Sequence, residues 1–167
     1  EVIELFSDDP ATSVEINDSG VFVGKESIKR FFWRDDKISP HFLHVLMQVN
    51  EVINIDPDGK TAKGRWYGFG PHAIPTDGEV QAAFSCGIYE NDYVKENSKW
   101  KFKKILWSRI FYTPYEDGWV KTPVKTLNFA KVMGKEQPKP DRPTTVYHPY
   151  PSGYIFPYHF KHPITGK

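Results

Sequence analysis

The sequence predicts an α+β domain in which long antiparallel strands curl around a pocket, followed by an extended arm. Three observations carry this. Residues 41–112 are a succession of apolar and alternating runs separated by turn residues. One amphipathic segment precedes them. Residues 120–167 hold eight of the 14 prolines, interleaved with Tyr and Phe.

The elements follow in order. Residues 1–6 read as the end of an amphipathic helix, stopped by Asp8-Asp9-Pro10. Residues 13–16 and 21–23 read as two short strands around the turn Asn17-Asp18-Ser19-Gly20. A helix over 24–36 places Ile28, Phe31 and Phe32 on one buried stripe, at spacings i, i+3 and i+4. Strands then cover 41–55, 61–69, 80–94 and 99–112. Their separators are Asp56-Pro57-Asp58-Gly59, the pair Gly70-Pro71 with Pro75-Thr76-Asp77-Gly78, and Glu96-Asn97-Ser98. Strands this long must twist, and Gly64, Gly68 and Gly87 mark places for a bulge or sharp bend. Residues 114–119 read as a turn, and 120–167 are predicted to run as an extended strap, packed over the domain or over a neighbouring subunit.

Composition narrows the function. Lys and Arg total 22 against 21 Asp and Glu, a net charge of +1. That balance gives no electrostatic drive toward nucleic acid or an acidic membrane. Hydrophobic content of 39% and charge of 26% fit a globular chain, and the 16% aromatic share fits a large apolar interior, a pocket or an interface. No run approaches the length of a membrane span and no signal peptide is visible, so a cytoplasmic location is expected. A single cysteine, Cys86, excludes an internal disulfide. His148, His159 and His162 lie in the Pro-rich tail without a ligand set around them, so no metal is expected. Phosphate loops and dinucleotide fingerprints are absent, and no cofactor is expected.

Three segments carry a resemblance to a known family. They are Phe-Val-Gly-Lys-Glu-Ser-Ile-Lys-Arg-Phe-Phe at 22–32, Asp-Gly-Lys-Thr-Ala-Lys-Gly-Arg-Trp at 58–66, and Gly-Ile-Tyr-Glu-Asn-Asp-Tyr at 87–93 with Trp-Lys-Phe-Lys-Lys-Ile at 100–105. In order and spacing they resemble the SnoaL-like domains of the nuclear transport factor 2-like superfamily over residues 1–119, leaving 120–167 as a C-terminal arm. The resemblance implies a cone-shaped α+β barrel with helices on the concave face, commonly oligomeric through the outer face of its sheet. It implies a cofactor-independent lyase, isomerase or cyclase acting on a hydrophobic, ring-containing small molecule, or a non-catalytic binding or assembly domain. Family domains usually begin with one or two further helices, where the acidic residue of the lyases commonly sits.

The candidate residues follow. His44 falls near the basic histidine of the family's dehydratases and dehydrochlorinases, and imidazole suits proton abstraction near neutral pH. His41 is its rival for that register, and a core or rim histidine is the alternative role. Alternation puts His44, Leu46, Gln48 and Asn50 on one strand face and Val45, Met47 and Val49 on the other. Trp66 and Trp107 would shape a pocket. Tyr89 or Tyr112 would offer a phenol to a developing oxyanion, and Arg109 would bind an oxygen through its fork. Packing and structural ion pairs are the competing roles for each.

Overall fold

The computed structural model describes residues 2–17, 19–32, 40–76, 79–124 and 138–166. A 3₁₀ turn over Val2–Leu5 leads into β1 (Ser13–Ile16), β2 (Gly20–Val23) and α1 (Gly24–Phe32). The remaining strands are the short β3 (Leu43–His44) and the longer β4 (Met47–Ile55), β5 (Thr61–Thr76), β6 (Glu79–Glu96) and β7 (Lys99–Pro114), followed by α2 (Gly118–Lys121). They make one seven-stranded sheet in the order β2-β1-β7-β6-β5-β3, with β4 also on β5. Pairings among β3–β7 are antiparallel, whereas β1 joins β7 in parallel. The result is a mixed α+β fold with a curved sheet.

Turn chemistry explains the hairpins. Asn97 and Ser98 both take positive φ, at 49° and 65°, the paired left-handed geometry of a tight two-residue hairpin. At the other end, Gly59 and Lys60 bond back to Asp56 and Asp58 at 2.8 and 2.7 Å.

Several expectations are corrected. The N-terminal segment is a single 3₁₀ turn whose following residue, Phe6, is the one that buries. The strand expected over 41–55 is split at Val45–Leu46. Gly70-Pro71 does not break its strand; β5 runs through it. The two corrections have one cause. Val45 donates to the Pro71 carbonyl at 3.2 Å, so the edge of Pro71 that lacks an N–H faces the point where β3 gives way to β4. Of the expected helical stripe, Ile28 is fully buried and Phe31 partly so. Phe32 is 42% exposed, because at the last described helical residue its ring meets chiefly Phe6 and Phe31. The helix positions expected at 33–36 and the Asp77-Gly78 turn lie outside the described residues.

The register sorts side chains onto two faces. One, the indole face, carries Trp66, Tyr89 and Trp107 in a row across β5, β6 and β7. The cluster of Phe6, Val14, Phe22 and Ile28 packs α1 against the same face. The opposite face carries Arg65, Tyr67, Ile88 and Ser108 and receives residues 144–159, whereas Asp141 and Arg142 bridge to Val21 on the edge strand β2. Tyr150 N–H donates to Ile110 at 2.8 Å, Asn17 Nδ2 to Val146 at 2.7 Å, and Arg65 to the carbonyls of Pro157 and Phe156 at 2.9 and 3.2 Å.

Gly70 supplies a direct test of the split edge. A Cβ there would lie 1.8 Å from the Val45 carbonyl oxygen. Gly→Ala in a strand is ordinarily neutral or mildly stabilising. Here Gly70→Ala is expected to cost about 2–4 kcal/mol in urea unfolding. A loss below about 1 kcal/mol would show that β3 and β4 do not press on β5 at this point.

Candidate functional site

The indole face is built on missing Cβ atoms. A Cβ at Gly68 would sit 2.6 Å from the Trp107 ring, and one at Gly87 2.7 Å from it. A Cβ at Gly64 would sit 2.3 Å from the Trp66 ring. Gly64 and Gly68 lie within unbroken β5–β6 register, so their role is to seat indoles rather than to bend the strand. Gly87 alone coincides with a register shift, between Cys86 and Gly87. Tyr89 stands between the indoles, 4.4 Å from Trp107 centroid to centroid.

Beyond this floor lies a polar cluster. His44 on β3 is opposite His72 on β5, and the two rings meet edge to face at 4.6 Å. His72 Nε2 is 2.7 Å from Ser85 Oγ, and the His72 ring lies 5.5 Å from Tyr112. Arg109 reaches the same region from β7, its guanidinium 5.1 Å from the Tyr112 ring. His44 is exposed at the edge, whereas His72 is 5% exposed.

Burial, with the nearby His44 and Arg109 charges, lowers the His72 pKa from 6.5 to about 4. His72 is therefore neutral at physiological pH. Burial pushes Tyr89 up to about 12, against a smaller opposing pull from Arg109, so its phenol keeps its proton. The cluster thus combines an exposed imidazole, a buried neutral imidazole on a hydroxyl, a protonated phenol and a guanidinium. Such a set can take a proton from carbon at one end and polarise an oxygen at the other.

Of the sequence candidates, His44, Trp66, Tyr89, Trp107, Arg109 and Tyr112 fall on this face. His44 and Arg109 approach the same His72–Tyr112 group, and Tyr89 stacks on Trp107. Trp66 sits further along β5, 6.2 Å from Tyr93. His41 has a positive φ of 70° and precedes β3. Gln48 shares the His44 face, while Asn50, at φ 56°, lies where the β4–β5 register shifts. Sequence reasoning missed His72 and Ser85. The signal for His72 was the alternation Trp66, Gly68, Gly70, His72, legible only if the strand continues through Pro71.

A SnoaL-like domain model matches residues 1–105. This chain belongs to the SnoaL-like family. Among solved structures it resembles a hexachlorocyclohexane dehydrochlorinase, the LinA type 2 form. That match has 15% identity, covers 68% of this chain and 72% of the other, and has a TM-score of 0.53. It also resembles a protein of Novosphingobium aromaticivorans provisionally assigned as a scytalone dehydratase. Here identity is 19%, coverage 76% and 80%, and TM-score 0.54. At such identities the likeness is one of fold. A search of curated proteins found no match. Among the described residues no helix is long and apolar enough to cross a membrane.

The His72 shift has a measurable consequence. Between pH 6.5 and about 4 the unfolded chain binds a proton at this residue that the folded chain does not. Stability present at neutral pH is therefore lost as pH falls through that window, at a limiting slope of about 1.4 kcal/mol per pH unit. Urea unfolding between pH 7 and 4 should show the loss, and His72→Gln should flatten it. An equally steep curve in the variant would place the titration elsewhere.

Proposed function

We propose that this chain is a cofactor-independent lyase acting on a hydrophobic, ring-containing small molecule bound on the indole face. The observation that carries the reading is the pairing of exposed His44 with neutral, Ser85-bonded His72 at the end of an aromatic floor. In the elimination, His44 takes the proton from a ring carbon. Its neutral neighbour adds no like charge against the imidazolium that forms. Arg109 and the Tyr89 phenol polarise the substrate oxygen, or the departing chloride where the substrate has none, and the leaving group departs from the adjacent carbon with the bonding electrons. Trp66 and Trp107 hold the ring. Two of its fold neighbours are a dehydrochlorinase and a provisionally assigned dehydratase, and both names describe eliminations.

The expected effect of His44→Gln is a loss of about 10²–10⁴ in turnover with an unchanged melting temperature. The assay is elimination from a panel of cyclic β-hydroxy ketones and chlorinated cyclohexanes. Equal turnover in the variant on any substrate the wild type converts would remove His44 from the mechanism.

The proposal extends to assembly as a homo-oligomer. Leu43, Met47, Val49, Tyr67 and Phe69 form an exposed apolar strip on the arm face, at the edge of the sheet. A second copy of the same strip would cover it. Light scattering of the wild type should report an oligomer and of Val49→Lys a monomer. A monomeric wild type would end this part of the reading.

A further inference from the structure

Arg109 stands where the sheet supports β7 least. On one side the ladder to β6 slips, with Cys86 opposite Phe111 but Gly87 opposite Arg109. On the other side β1 stops at Ile16, which pairs with Trp107. A parallel ladder continued by one residue would offer the Arg109 N–H the backbone carbonyl of Asn17. The chain turns there instead, with the Ser19 N–H bonded to the Ile16 carbonyl at 2.8 Å.

The Asn17 side chain supplies the missing rung. Its backbone N–H donates to the Trp107 carbonyl at 3.3 Å, and its side-chain Oδ1 accepts the Arg109 N–H. Its Nδ2 donates to the Val146 carbonyl of the arm at 2.7 Å. These backbone partners fix which way the amide points, because only its oxygen accepts and only its nitrogen donates. Asn17 is 3% exposed, so water does not compete for the three bonds.

Asn17 thus grips β7 on both sides of Ser108, and the two residues it grips, Trp107 and Arg109, carry side chains of the site. We infer that Asn17 is a positioning residue of the indole-face site, aiming the Arg109 guanidinium at the His72–Tyr112 group without touching the substrate. Its effect on turnover rests on the lyase reading; the placement of Arg109 is a property of the folded chain.

A double-mutant cycle on the full chain separates positioning from a general structural role. The first readout is the titration of His72, followed by nuclear magnetic resonance of labelled imidazole carbons. After burial and His44, the Arg109 charge is among the causes that hold the His72 pKa at about 4. Arg109→Ala should therefore raise the midpoint. Asn17→Ala should raise it too, yet add nothing in the Arg109→Ala background, where the backbone bond remains but no guanidinium is left to aim. Asn17→Ser, whose oxygen is one bond too short to reach, should behave likewise and decides the matter if Asn17→Ala does not fold. The second readout is turnover on any panel substrate the wild type converts. Asn17→Ala should lower it about 10–100-fold, the scale of a misplaced polarising group, and again add nothing to Arg109→Ala. A His72 midpoint unmoved by the Asn17 variants overturns the inference, as does an equal rise with and without Arg109. A panel without turnover counts against the lyase reading, and the His72 midpoint still decides the role of Asn17.

Discussion

Two indoles laid flat across glycines are the constraint on which the rest of the sheet depends. Trp107 occupies the space that side chains at Gly68 and Gly87 would fill, and Trp66 does the same over Gly64. An indole lying along a sheet buries far more apolar area than one standing up from it, and aromatic rings of this size dominate the energetics of a core. That gain requires three strands to keep one register, because a slip of one residue would move a glycine from beneath the ring and substitute a Cβ. The length of β5, β6 and β7 follows from this. So does the position of the polar cluster, since His72 lies four residues beyond Gly68 and Arg109 two beyond Trp107.

The arm is held by a different kind of constraint. Arg65 and Glu90 form a pair whose side chains are 3% and 12% exposed. His159 joins them, with Nδ1 2.8 Å from Glu90 and Nε2 3.0 Å from Asn54. Buried charge is costly where its remaining hydrogen-bonding groups lack partners; here two arm carbonyls serve the terminal nitrogens of Arg65 and an arm histidine serves Glu90, while Arg65 Nε is buried without one. Glu15 repeats the pattern. Burial works against its charge, but Thr145 and Thr144 of the arm, with Lys104, outweigh that and lower its pKa. The sheet therefore carries two carboxylates that need the arm, and the arm is bound by them more specifically than by its rings, of which Tyr150, Tyr154 and Tyr158 stay exposed.

These constraints explain what the sequence could disclose. Alternation and turn residues made the strands readable, because period-2 patterning and left-handed turns are local properties. Alternation within each strand was readable for the same reason, but that His44, Trp66, Tyr89, Trp107 and Arg109 share one face follows only from the register between strands. Two further things were not readable. A Gly-Pro pair signals a break in isolation, and only the position of the facing edge, where β3 yields to β4, shows that Pro71 needs no donor. That hid His72 and, with it, Ser85. Likewise a glycine seating an indole from the neighbouring strand looks locally like a glycine that bends its own strand. Gly87 does coincide with a bulge; Gly68, beneath Trp107 of β7, shows that the distinction is tertiary, whereas Gly64 seats Trp66 of its own strand.

The same bulge joins the two faces. Cys86 is opposite Phe111 and Gly87 opposite Arg109, so Ile110 has no register partner on β6. Its carbonyl instead accepts the Tyr150 N–H of the arm. One residue earlier, the Arg109 N–H donates to the Asn17 side chain, whose amide in turn donates to Val146. Arg109 is thus fixed at its backbone by groups that themselves hold the arm, while its guanidinium enters the histidine cluster. A change in how the arm docks would be felt first at residues 109–110, and through them at the one cation that faces His72 from β7. The arm face and the indole face are chemically distinct, but they share this two-residue junction in β7, and the extra residue of the bulge is what allows both attachments to be made at once.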